Sequence, residues 1–564
     1  MRWVESGDVR LAVFEEGDPA APTIVLLHGY PDTHRVWDEV AALLRDRFHL
    51  VRYDVRGAGA SSAPRDRRHY AFDHLMADLA AVIDSVGKPR VHLAGHDWGS
   101  LQGWEAAARP GLRDRLASFT SLGGPGLRQA AQFMRHGRRR DVLRQLARSW
   151  YIGAFQVPVL PELAWRTVVP RLLRRTLRNG EGVEPRPGHP ADTLVKDARN
   201  GLELYRRNML TGDDGSAGGG GLMRGGGFAG GGGLAGRGGE PRVGVPVQLV
   251  EARGDRFVTP ALLASTGRWA DRLWHRRIEA GHWAQRGRPA TVAEMIADFV
   301  THMEGGPASR GLRRARAGER RKAFGDRLVL VTGAGSGVGL AAARAFAAHG
   351  AEVVCADLDP AAAARAAAAI AKDLGGTAHP AQVDVSDINK FEDFSRNIIA
   401  QYGVPDIVLN NTEIAAAGPF LEHTVGDWRT TLDAGLQAVI NGCRLFGAAM
   451  AARGEGGHLV NVVTPAASVP SHLSPAYSIS KAAVRALGDG LRAELAGYGI
   501  GVSTIFPGPV STSAAGRARR GCPPERVAAR ILRAVHLNQA VISPRTIRAP
   551  NRMGVGLRNP QISR

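Results

Sequence analysis

The sequence predicts an α/β protein made of two successive domains, each built on a mostly parallel sheet. The chain has 564 residues, which is too long for one ordinary domain. Short apolar runs alternate with amphipathic helix patterns twice, first over residues 1–125 and again from Leu328 onward. Such alternation indicates parallel strands with helices on both faces, so the loops after the strands should carry the chemistry.

The elements of the first domain follow from its apolar patterns. Strands are predicted over Thr23–Leu27, Phe48–Tyr53, Val91–Ala94 and Leu116–Ser121, with a helix over Phe72–Val86. The arginine-rich helical patterns of about 125–214 break the alternation, and we expect them to form a cap over the carboxyl end of the sheet. Strands around Val245–Val250 and Leu273–Ile278 then return the chain to the sheet.

The net charge of +20 raises the question of a nucleic-acid or membrane partner. Nearly all of the basic residues are arginines in a chain rich in Ala and Gly, a composition typical of a GC-rich genome, so no nucleic-acid partner is expected. Contact with an anionic membrane surface stays open as the minor alternative. The chain lacks an apolar run of about 18 residues and a signal-peptide pattern, and its three scattered cysteines suit neither a metal site nor disulfides. We expect a cytoplasmic protein without a metal.

The strand predicted at Val91 ends in Gly95-His96-Asp97-Trp98-Gly99, the pattern of a nucleophile elbow. Glycines two residues before and after Asp97 allow a tight strand-turn-helix connection. The usual central residue is serine, which forms acyl esters. A carboxylate here would instead attack saturated carbon and form an alkyl ester that water must hydrolyse.

Further residues complete a candidate active site around Asp97. Asp255 and His282 follow the two later strands, in the order nucleophile, acid, histidine, so Asp255 would orient His282 and His282 would activate water. The loop His28-Gly29-Tyr30-Pro31 would present a backbone N–H to an oxyanion. In the cap, Tyr151 and Tyr205 could donate hydrogen bonds to the oxygen of an opening strained ring.

Together these motifs make residues 1–304 resemble an epoxide hydrolase of the α/β-hydrolase superfamily. The resemblance implies that Asp97 attacks an epoxide while Tyr151 and Tyr205 hold its oxygen. It also implies an oxyanion hole formed by the N–H groups of Tyr30 and Trp98. Haloalkane dehalogenases share the elbow, but they need halide donors where these tyrosines lie.

Two low-complexity stretches interrupt or follow this domain. Residues 215–239 are dominated by glycine, which predicts a mobile insertion between cap and core; a nucleic-acid-binding Gly/Arg segment is disfavoured because only Arg224 and Arg237 interrupt it. Residues 305–325 form a basic linker, expected to be a solvated tether, with a membrane-surface patch as the alternative.

The second domain, residues 326–564, begins with a Gly-rich turn after the Leu328–Val331 strand run. Its candidate pyrophosphate-binding residues are Gly333, Ser336, Gly337, Val338 and Gly339, at the start of a helix pattern. Asp357 ends the next strand, at the spacing expected for an acid on the adenosine ribose. No arginine follows it directly, which favours NAD over NADP. Asp384 and Val385 fit an adenine contact.

Tyr477 and Lys481 lie four residues apart, on one face of a predicted helix. A nearby ammonium lowers the pKa of a phenol and prepares it for proton transfer. With the Gly-rich turn upstream and Pro507-Gly508 downstream, residues 326 to about 545 resemble a short-chain dehydrogenase/reductase. The resemblance adds Asn410, Tyr477, Lys481, Pro507 and Gly508 to the candidate cofactor-binding residues.

The second domain departs from that family at positions that concern chemistry. The catalytic serine is replaced by Thr464, and the helix asparagine that anchors a water relay is replaced by Gly435. The Asn-Asn-Ala-Gly motif reads Asn410-Asn411-Thr412-Glu413, which puts a glutamate near the expected cofactor. The segment after Val510 is short for a substrate-covering loop. We therefore expect a dinucleotide-binding fold with poor or no oxidoreductase activity.

The whole layout resembles bacterial fusions of an epoxide hydrolase with a reductase domain. The leading hypothesis is hydrolysis of a small-molecule epoxide to a vicinal diol through an ester on Asp97, in a chain that also carries an NAD-binding, reductase-like domain with poor or no activity. The fusion layout also prompts a separate, coupled hypothesis, in which the second domain oxidises that diol. Two alternatives remain: an NAD(P)-dependent oxidoreductase with an auxiliary hydrolase domain, and a non-catalytic scaffold. A homo-oligomer is implied only by the habits of the reductase family.

Overall fold

The computed structural model describes residues 1–209, 242–411, 420–463, 475–507 and 521–542. Within it the chain divides into two units, Met1–Arg320 and Arg321–Arg564. The Gly-rich insertion at 215–239 lies outside the described residues, so its predicted mobility stays a prediction. Among the described residues, no helix is long and apolar enough to cross a membrane.

The first unit is built on an eight-stranded sheet whose order is β1-β2-β4-β3-β5-β6-β7-β8. Its strands are β1 (Arg2–Ser6), β2 (Val9–Glu16), β3 (Thr23–Leu27), β4 (His49–Tyr53), β5 (Val91–His96), β6 (Leu116–Leu122), β7 (Val247–Ala252) and β8 (Leu273–Ile278). The first two strands pair antiparallel, and β3 to β8 run parallel. All five residues of β3 are buried, as expected for a strand covered on both faces.

Helices cover both faces of this sheet and form the cap. The helices are α1 (Asp38–Leu44), α2 (Phe72–Val86), α3 (Trp98–Ala108), α4 (Pro110–Arg113), α5 (Leu127–His136), α6 (Arg139–Arg148), α7 (Trp150–Ala154), α8 (Leu160–Thr167), α9 (Val169–Glu181), α10 (Leu194–Asn208), α11 (Pro260–Thr266), α12 (Ala284–Gly287), α13 (Pro289–Met303) and α14 (Arg310–Ala315). Alternate residues of β3 enter different cores. Val25 and Leu27 belong to the cluster that contains residues of α2 and α3, whereas Ile24 and Leu26 pack with residues of α1 and α13.

The basic linker differs from the solvated tether that was expected over 305–325. Ser309 caps α14 by accepting a hydrogen bond from the N–H of Leu312. The Leu312 side chain is fully buried in a cluster with Trp274 and Phe299, and the guanidinium of Arg316 lies over the Trp274 ring. This half of the segment is therefore packed onto the first unit, because one leucine supplies an apolar anchor within the basic run.

The second unit is built on a seven-stranded parallel sheet of order β11-β10-β9-β12-β13-β14-β15. Its strands are β9 (Leu328–Thr332), β10 (Glu352–Asp357), β11 (Ala378–Gln382), β12 (Ile407–Asn410), β13 (Gly457–Val462), β14 (Ile500–Ile505) and β15 (Val541–Ile542). Its described helices are α15 (Gly337–Ala348), α16 (Pro360–Leu374), α17 (Ile388–Tyr402), α18 (Val425–Leu432), α19 (Ala438–Arg453), α20 (Pro475–Glu494) and α21 (Pro524–Leu537). The strand order reverses between β9 and β12, the switch point at which such sheets bind dinucleotides. Both domains thus have the predicted α/β class.

Candidate functional site

Asp97 occupies a strained turn between β5 and α3. Its backbone φ is 52°, in a region that residues other than glycine rarely adopt. Holding a residue in such a conformation costs about 1–3 kcal/mol. Its N–H donates to the carbonyl oxygen of Leu122 at 3.0 Å. Close packing enforces the turn: a Cβ at Gly29 would lie 2.5 Å from the Asp97 Cβ, and one at Gly99 would collide with the Leu27 carbonyl oxygen. The fold therefore holds this carboxylate in one place.

The acid and the histidine predicted to serve Asp97 lie beside it. Asp255 follows β7, and its Oδ2 is 2.9 Å from Nδ1 of His282, which follows β8. Its Oδ1 accepts hydrogen bonds from the N–H groups of Phe257 and Val258, at 2.7 and 3.0 Å. The opposite ring nitrogen, Nε2 of His282, is 3.6 Å from Oδ2 of Asp97. The imidazole thus bridges the two carboxylates.

The electrostatics of this trio set the charge on His282. Burial alone would lower the pKa of His282, but the carboxylates of Asp255 and Asp97 raise it well above its ordinary value. Burial likewise works to raise the pKa of Asp255, yet the charge and hydrogen bond of His282 and the two backbone donors hold it below normal. While Asp97 is ionised, the favoured state is an imidazolium between two carboxylates.

The loop predicted to form an oxyanion hole also contacts Asp97. The N–H of Tyr30 donates to Oδ1 of Asp97 at 2.9 Å, and the Tyr30 hydroxyl donates to the Ala198 carbonyl oxygen in α10 at 3.1 Å. Trp98 is the first residue of α3, and its ring packs edge-on against Tyr205 with centroids 5.1 Å apart. The candidate oxyanion residues therefore link the candidate nucleophile, Asp97, to the cap.

Tyr151 from α7 and Tyr205 from α10 line the same cavity as Asp97. This cavity holds about 630 Å³, including space open to solvent, and its other walls are largely apolar, with Leu101, Ile152 and Met209 among them. The centroids of the two phenol rings are 6.0 Å apart. Burial raises the pKa of both phenols above their ordinary value, and the charge of Asp97 adds to the rise. Both hydroxyls are therefore protonated donors at neutral pH.

Cap residues that sequence reasoning missed hold the Asp255 loop in place. In α6, Nη1 of Arg148 donates to the Asp255 carbonyl oxygen at 2.7 Å. The Gln145 amide donates to the Phe257 carbonyl oxygen and accepts from the N–H of Thr259, both at 2.8 Å. They lie more than 100 residues from their partners, and no local motif marks them.

Two further groups reach the histidine from other elements. The carboxylate of Glu181, at the end of α9, lies against the backbone of Gly281, where a Cβ would collide with it. Its burial raises its pKa, opposed by the charge of His282. On the other side, Nε2 of His96 lies 2.9 Å from the His282 carbonyl oxygen. Burial lowers the pKa of His96 to about 4, so this ring is neutral at pH 7.

In the second unit, the Gly-rich turn joins β9 to α15 as predicted for a pyrophosphate site. Gly333 and Gly337 have positive φ angles of 65° and 54°, and a Cβ at Gly339 would collide with the Gly333 carbonyl oxygen. Oδ2 of Asp357, at the end of β10, accepts from the N–H of Gly335 at 2.8 Å. These residues fit a dinucleotide, because a turn with no room for side chains and a carboxylate meet at the switch point of the sheet.

The remaining cofactor candidates fall on several strand ends. Val385 and Asn410 line one cavity of about 180 Å³, whereas Asp384 accepts hydrogen bonds from Ser386 on an exposed loop. Ser336 is the exposed residue before α15, and Val338 is partly buried within its first turn. Pro507 is buried after β14. Gly508, Thr412, Glu413 and the segment after Val510 lie outside the described residues.

The predicted tyrosine–lysine pair lies on α20. The ammonium of Lys481 is 5.5 Å from the centroid of the Tyr477 ring, and Lys481 is buried. Gly435 lies in one π-helical turn, Asp433–Gln437, between α18 and α19, so the helix widens there without the family's asparagine. A Cβ at Gly435 would lie 2.9 Å from Oγ of Ser480. Thr464 lies outside the part of the chain that the structure describes.

Comparisons with known proteins match both halves. A family model described as "alpha/beta hydrolase fold" matches residues 22–289, and one described as "short chain dehydrogenase" matches residues 327–522. Among curated proteins, the chain is 41% identical over 524 residues to "Probable oxidoreductase EphD" of Mycobacterium tuberculosis. The aligned region covers 91% of this chain and 85% of that protein.

Other relatives match one half each. "Epoxide hydrolase A" of Mycobacterium tuberculosis is 28% identical over 54% of this chain and 98% of its own length. "C alpha-dehydrogenase" of a Sphingobium species is 34% identical over 35% of this chain and 65% of its own length. Both matched families are enzyme families.

Proposed function

Because the chain belongs to the family that joins an α/β-hydrolase fold to a short-chain dehydrogenase, we propose that its first unit hydrolyses epoxides to vicinal diols through an ester on Asp97. The observation that carries this proposal is the shared cavity. In it, two protonated phenols and one carboxylate nucleophile line the same space, with a histidine beside the carboxylate.

In the first step, the Asp97 carboxylate attacks one epoxide carbon, and the carbon–oxygen bond of the ring breaks. Tyr151 and Tyr205 donate hydrogen bonds to the leaving oxygen, which gains negative charge as the bond breaks. A departing halide is a weak base that needs little help from this pair, whereas an alkoxide is a strong base that two phenol donors stabilise. The phenols therefore favour an epoxide over a haloalkane as the substrate.

In the second step, the ester on Asp97 is hydrolysed. Ester formation removes the negative charge of Asp97, so the pKa of His282 falls and the imidazolium gives its proton to the new alkoxide. The neutral imidazole, oriented by Asp255, then takes a proton from water as the oxygen attacks the ester carbonyl carbon. The N–H groups of Tyr30 and Trp98 stabilise the resulting oxyanion. As the oxyanion collapses, the bond between the ester carbonyl carbon and the alkyl oxygen breaks, that oxygen takes the second proton of the added water, and the diol leaves an ionised Asp97 beside a protonated His282.

The decisive test traps the ester. His282→Gln enzyme is incubated with styrene oxide, digested, and the peptide containing Asp97 is weighed by mass spectrometry. A mass increase equal to one styrene oxide on Asp97 is expected, because the second step lacks its base. The double variant Asp97→Asn, His282→Gln is the matched control and should carry no adduct. Absence of an adduct across a panel of epoxides would overturn the proposal.

A non-catalytic scaffold would be favoured if the Gly-rich insertion held Asp255 out of line with His282. The 2.9 Å separation of Asp255 from His282 gives it no support.

A second candidate function belongs to the second unit: oxidation of a secondary alcohol with NAD. Family membership implies a nicotinamide cofactor. The observation that favours this function is the buried ammonium of Lys481 beside Tyr477. The cofactor would supply the hydride acceptor, held by the Gly-rich turn and by Asp357, whose carboxylate favours a ribose hydroxyl over a 2′-phosphate. The lysine would lower the pKa of the phenol, so that the phenolate accepts the hydroxyl proton.

Replacement of the family serine by Thr464 is expected to slow this reaction. Binding is tested by titration with NAD and, in parallel, NADP. We expect the wild-type enzyme to bind NAD more tightly than NADP. The variant Asp357→Asn should narrow the difference between the two affinities. Equal affinities for wild-type enzyme would contradict the NAD preference.

A further inference from the structure

The cap carries a concentration of exposed apolar side chains. Of the twenty large apolar side chains that are exposed among the described residues, eight fall within residues 143–172. Trp150 is 71% exposed and Val159 is 70% exposed. Exposed apolar side chains that cluster in this way usually mark an interaction surface, whereas single scattered ones need no explanation. We call the exposed side chains of residues 138–175 the outer cap surface.

Helical spacing places these side chains opposite the faces that pack inward. Leu143, Ala147 and Trp150 follow one another at steps of four and three residues along α6 and into α7. The inward positions of α6 are Gln145 and Arg148, which bond the Asp255 loop. In the next helices, Leu163 and Leu172 are exposed while Trp165 and Leu177 are buried.

A strained turn presents more apolar surface between α7 and α8. Val159 has a φ of 70° and a ψ of −43°, and the N–H of Leu160 donates to the Pro158 carbonyl oxygen at 2.8 Å. This is a γ-turn of the sterically unfavourable kind, centred on a β-branched residue. Its central side chain and that of Leu160 are both exposed. Strain of this type is typical of functional segments.

The same surface is strongly cationic. Between Arg138 and Arg175 the sequence has nine arginines and only two carboxylates, Asp141 and Glu162. Glu162 is already paired with Arg206 at 2.7 Å. The exposed arginines are Arg138, Arg139, Arg140, Arg144, Arg166, Arg171, Arg174 and Arg175. A second copy of this surface would be repelled, whereas a partner both apolar and negatively charged would be attracted.

We propose that the outer cap surface docks on an anionic lipid bilayer. Its apolar side chains would enter the boundary between headgroups and acyl chains, while the arginines contact anionic headgroups. Helix α7 presents Trp150 outward and lines the reaction cavity with Tyr151 and Ile152. Docking would therefore bring the cavity wall within one helix of the lipid. The docking is independent of the reaction, so its test measures binding alone.

The test is co-sedimentation of the full chain with vesicles of phosphatidylcholine, with and without about one-third phosphatidylglycerol. Binding to the anionic vesicles and its loss at high salt are expected. The variant Trp150→Ser, Val159→Ser, Leu163→Ser should bind about tenfold more weakly, because three apolar contacts are lost. The variant Arg171→Glu, Arg174→Glu, Arg175→Glu should lose binding to anionic vesicles.

The matched control is Leu43→Ser, Leu421→Ser, Leu537→Ser, which removes exposed apolar side chains elsewhere. It should bind vesicles like the wild type. Circular dichroism and light scattering of every variant report folding and oligomeric state. Absence of vesicle binding by the wild type overturns the proposal. A loss of vesicle binding in the control variant as large as that in the cap variant also overturns it. A wild-type dimer that the cap variant dissociates, without lipid binding, would assign the surface to self-association instead.

Discussion

Asp97 is both the proposed nucleophile and the main variable charge beside His282. The raised pKa of His282 comes from Asp255 and from Asp97 together. Only Asp97 would lose its charge during the proposed reaction. The proposed change of His282 from acid to base therefore depends on the charge state of a single neighbouring residue.

This charge dependence can be measured without substrate. Asp97→Asn should lower the pKa of His282, because the amide removes one of two stabilising negative charges. The pH titration of the His282 ring nitrogens by NMR checks it. Glu105→Gln is the control, since Glu105 pairs with Arg109 on α3. An unchanged pKa in Asp97→Asn would contradict the proposed exchange of roles.

The sequence predicted the residues whose motifs are local, and it missed those whose partners are distant. Asp97 is marked by its flanking glycines, and Asp255 and His282 by their positions after strands. Glu181 and Arg148 act on backbone groups about 100 residues away. No residue type or spacing in the sequence predicts such a contact, because the contact forms only when the cap folds onto the sheet.

At the scale of elements, α6 connects the cap with the Asp255 loop. Arg148→Ala should weaken catalysis by about tenfold with little change in KM, because a misplaced Asp255 no longer orients His282. Loss of its hydrogen bond costs about 1–2 kcal/mol of loop stability.

Steady-state kinetics with styrene oxide measure this effect. The matched control is Arg144→Ala on the same helix, because its side chain is exposed. Equal kinetics of the two variants would show that α6 does not position the acid.

Helix α10 carries a buried carboxyl group in its first turn, that of Asp197. Burial raises the pKa of Asp197 to about 6, while Oδ2 accepts from the Thr193 hydroxyl at 2.5 Å. Since the folded pKa lies above the unfolded one, ionisation opposes folding. Stability should therefore fall as the pH rises from about 4 through 6 and stay lower above that.

Asp197→Asn should remove this pH-dependent loss. The variant is expected to gain about 1–3 kcal/mol over the wild type at neutral pH and nothing near pH 4. Thermal midpoints measured across this pH range check it. Asp192→Asn, at an exposed position just before α10, should follow the wild-type curve. A gain that is equal at all pH values would point to packing rather than charge.

Most strands were predictable because their apolar runs are nearly uninterrupted, as in β3 and β9. The N-terminal pair β1 and β2 was not predicted, because charged residues interrupt the apolar residues of both strands. Helix α14 was also missed. Its single anchor, Leu312, is surrounded by arginines, so composition indicated solvent while the fold buries that one side chain.

At the scale of the whole molecule, one chain carries a candidate epoxide-opening site and a candidate alcohol-oxidising site. A vicinal diol is the product of the first proposed reaction, and its secondary hydroxyl suits the second. A π-helical turn surrounds Gly435, where the asparagine of the reductase family is missing. The replacements at Gly435 and Thr464, together with Glu413 near the expected cofactor, are the departures expected to limit turnover.

Addition of phenylethanediol and NAD to the full chain should therefore give slow but measurable NADH absorbance. Styrene oxide and NAD should give the same signal after a lag, because diol must form first. Asp97→Asn separates the two sites: it should abolish the signal from styrene oxide and keep the signal from added diol. Tyr477→Phe should abolish both signals, because the proton acceptor for the hydroxyl is lost. No NADH from added diol would disprove the coupling while leaving the Asp97 ester to be judged by its own trapping experiment.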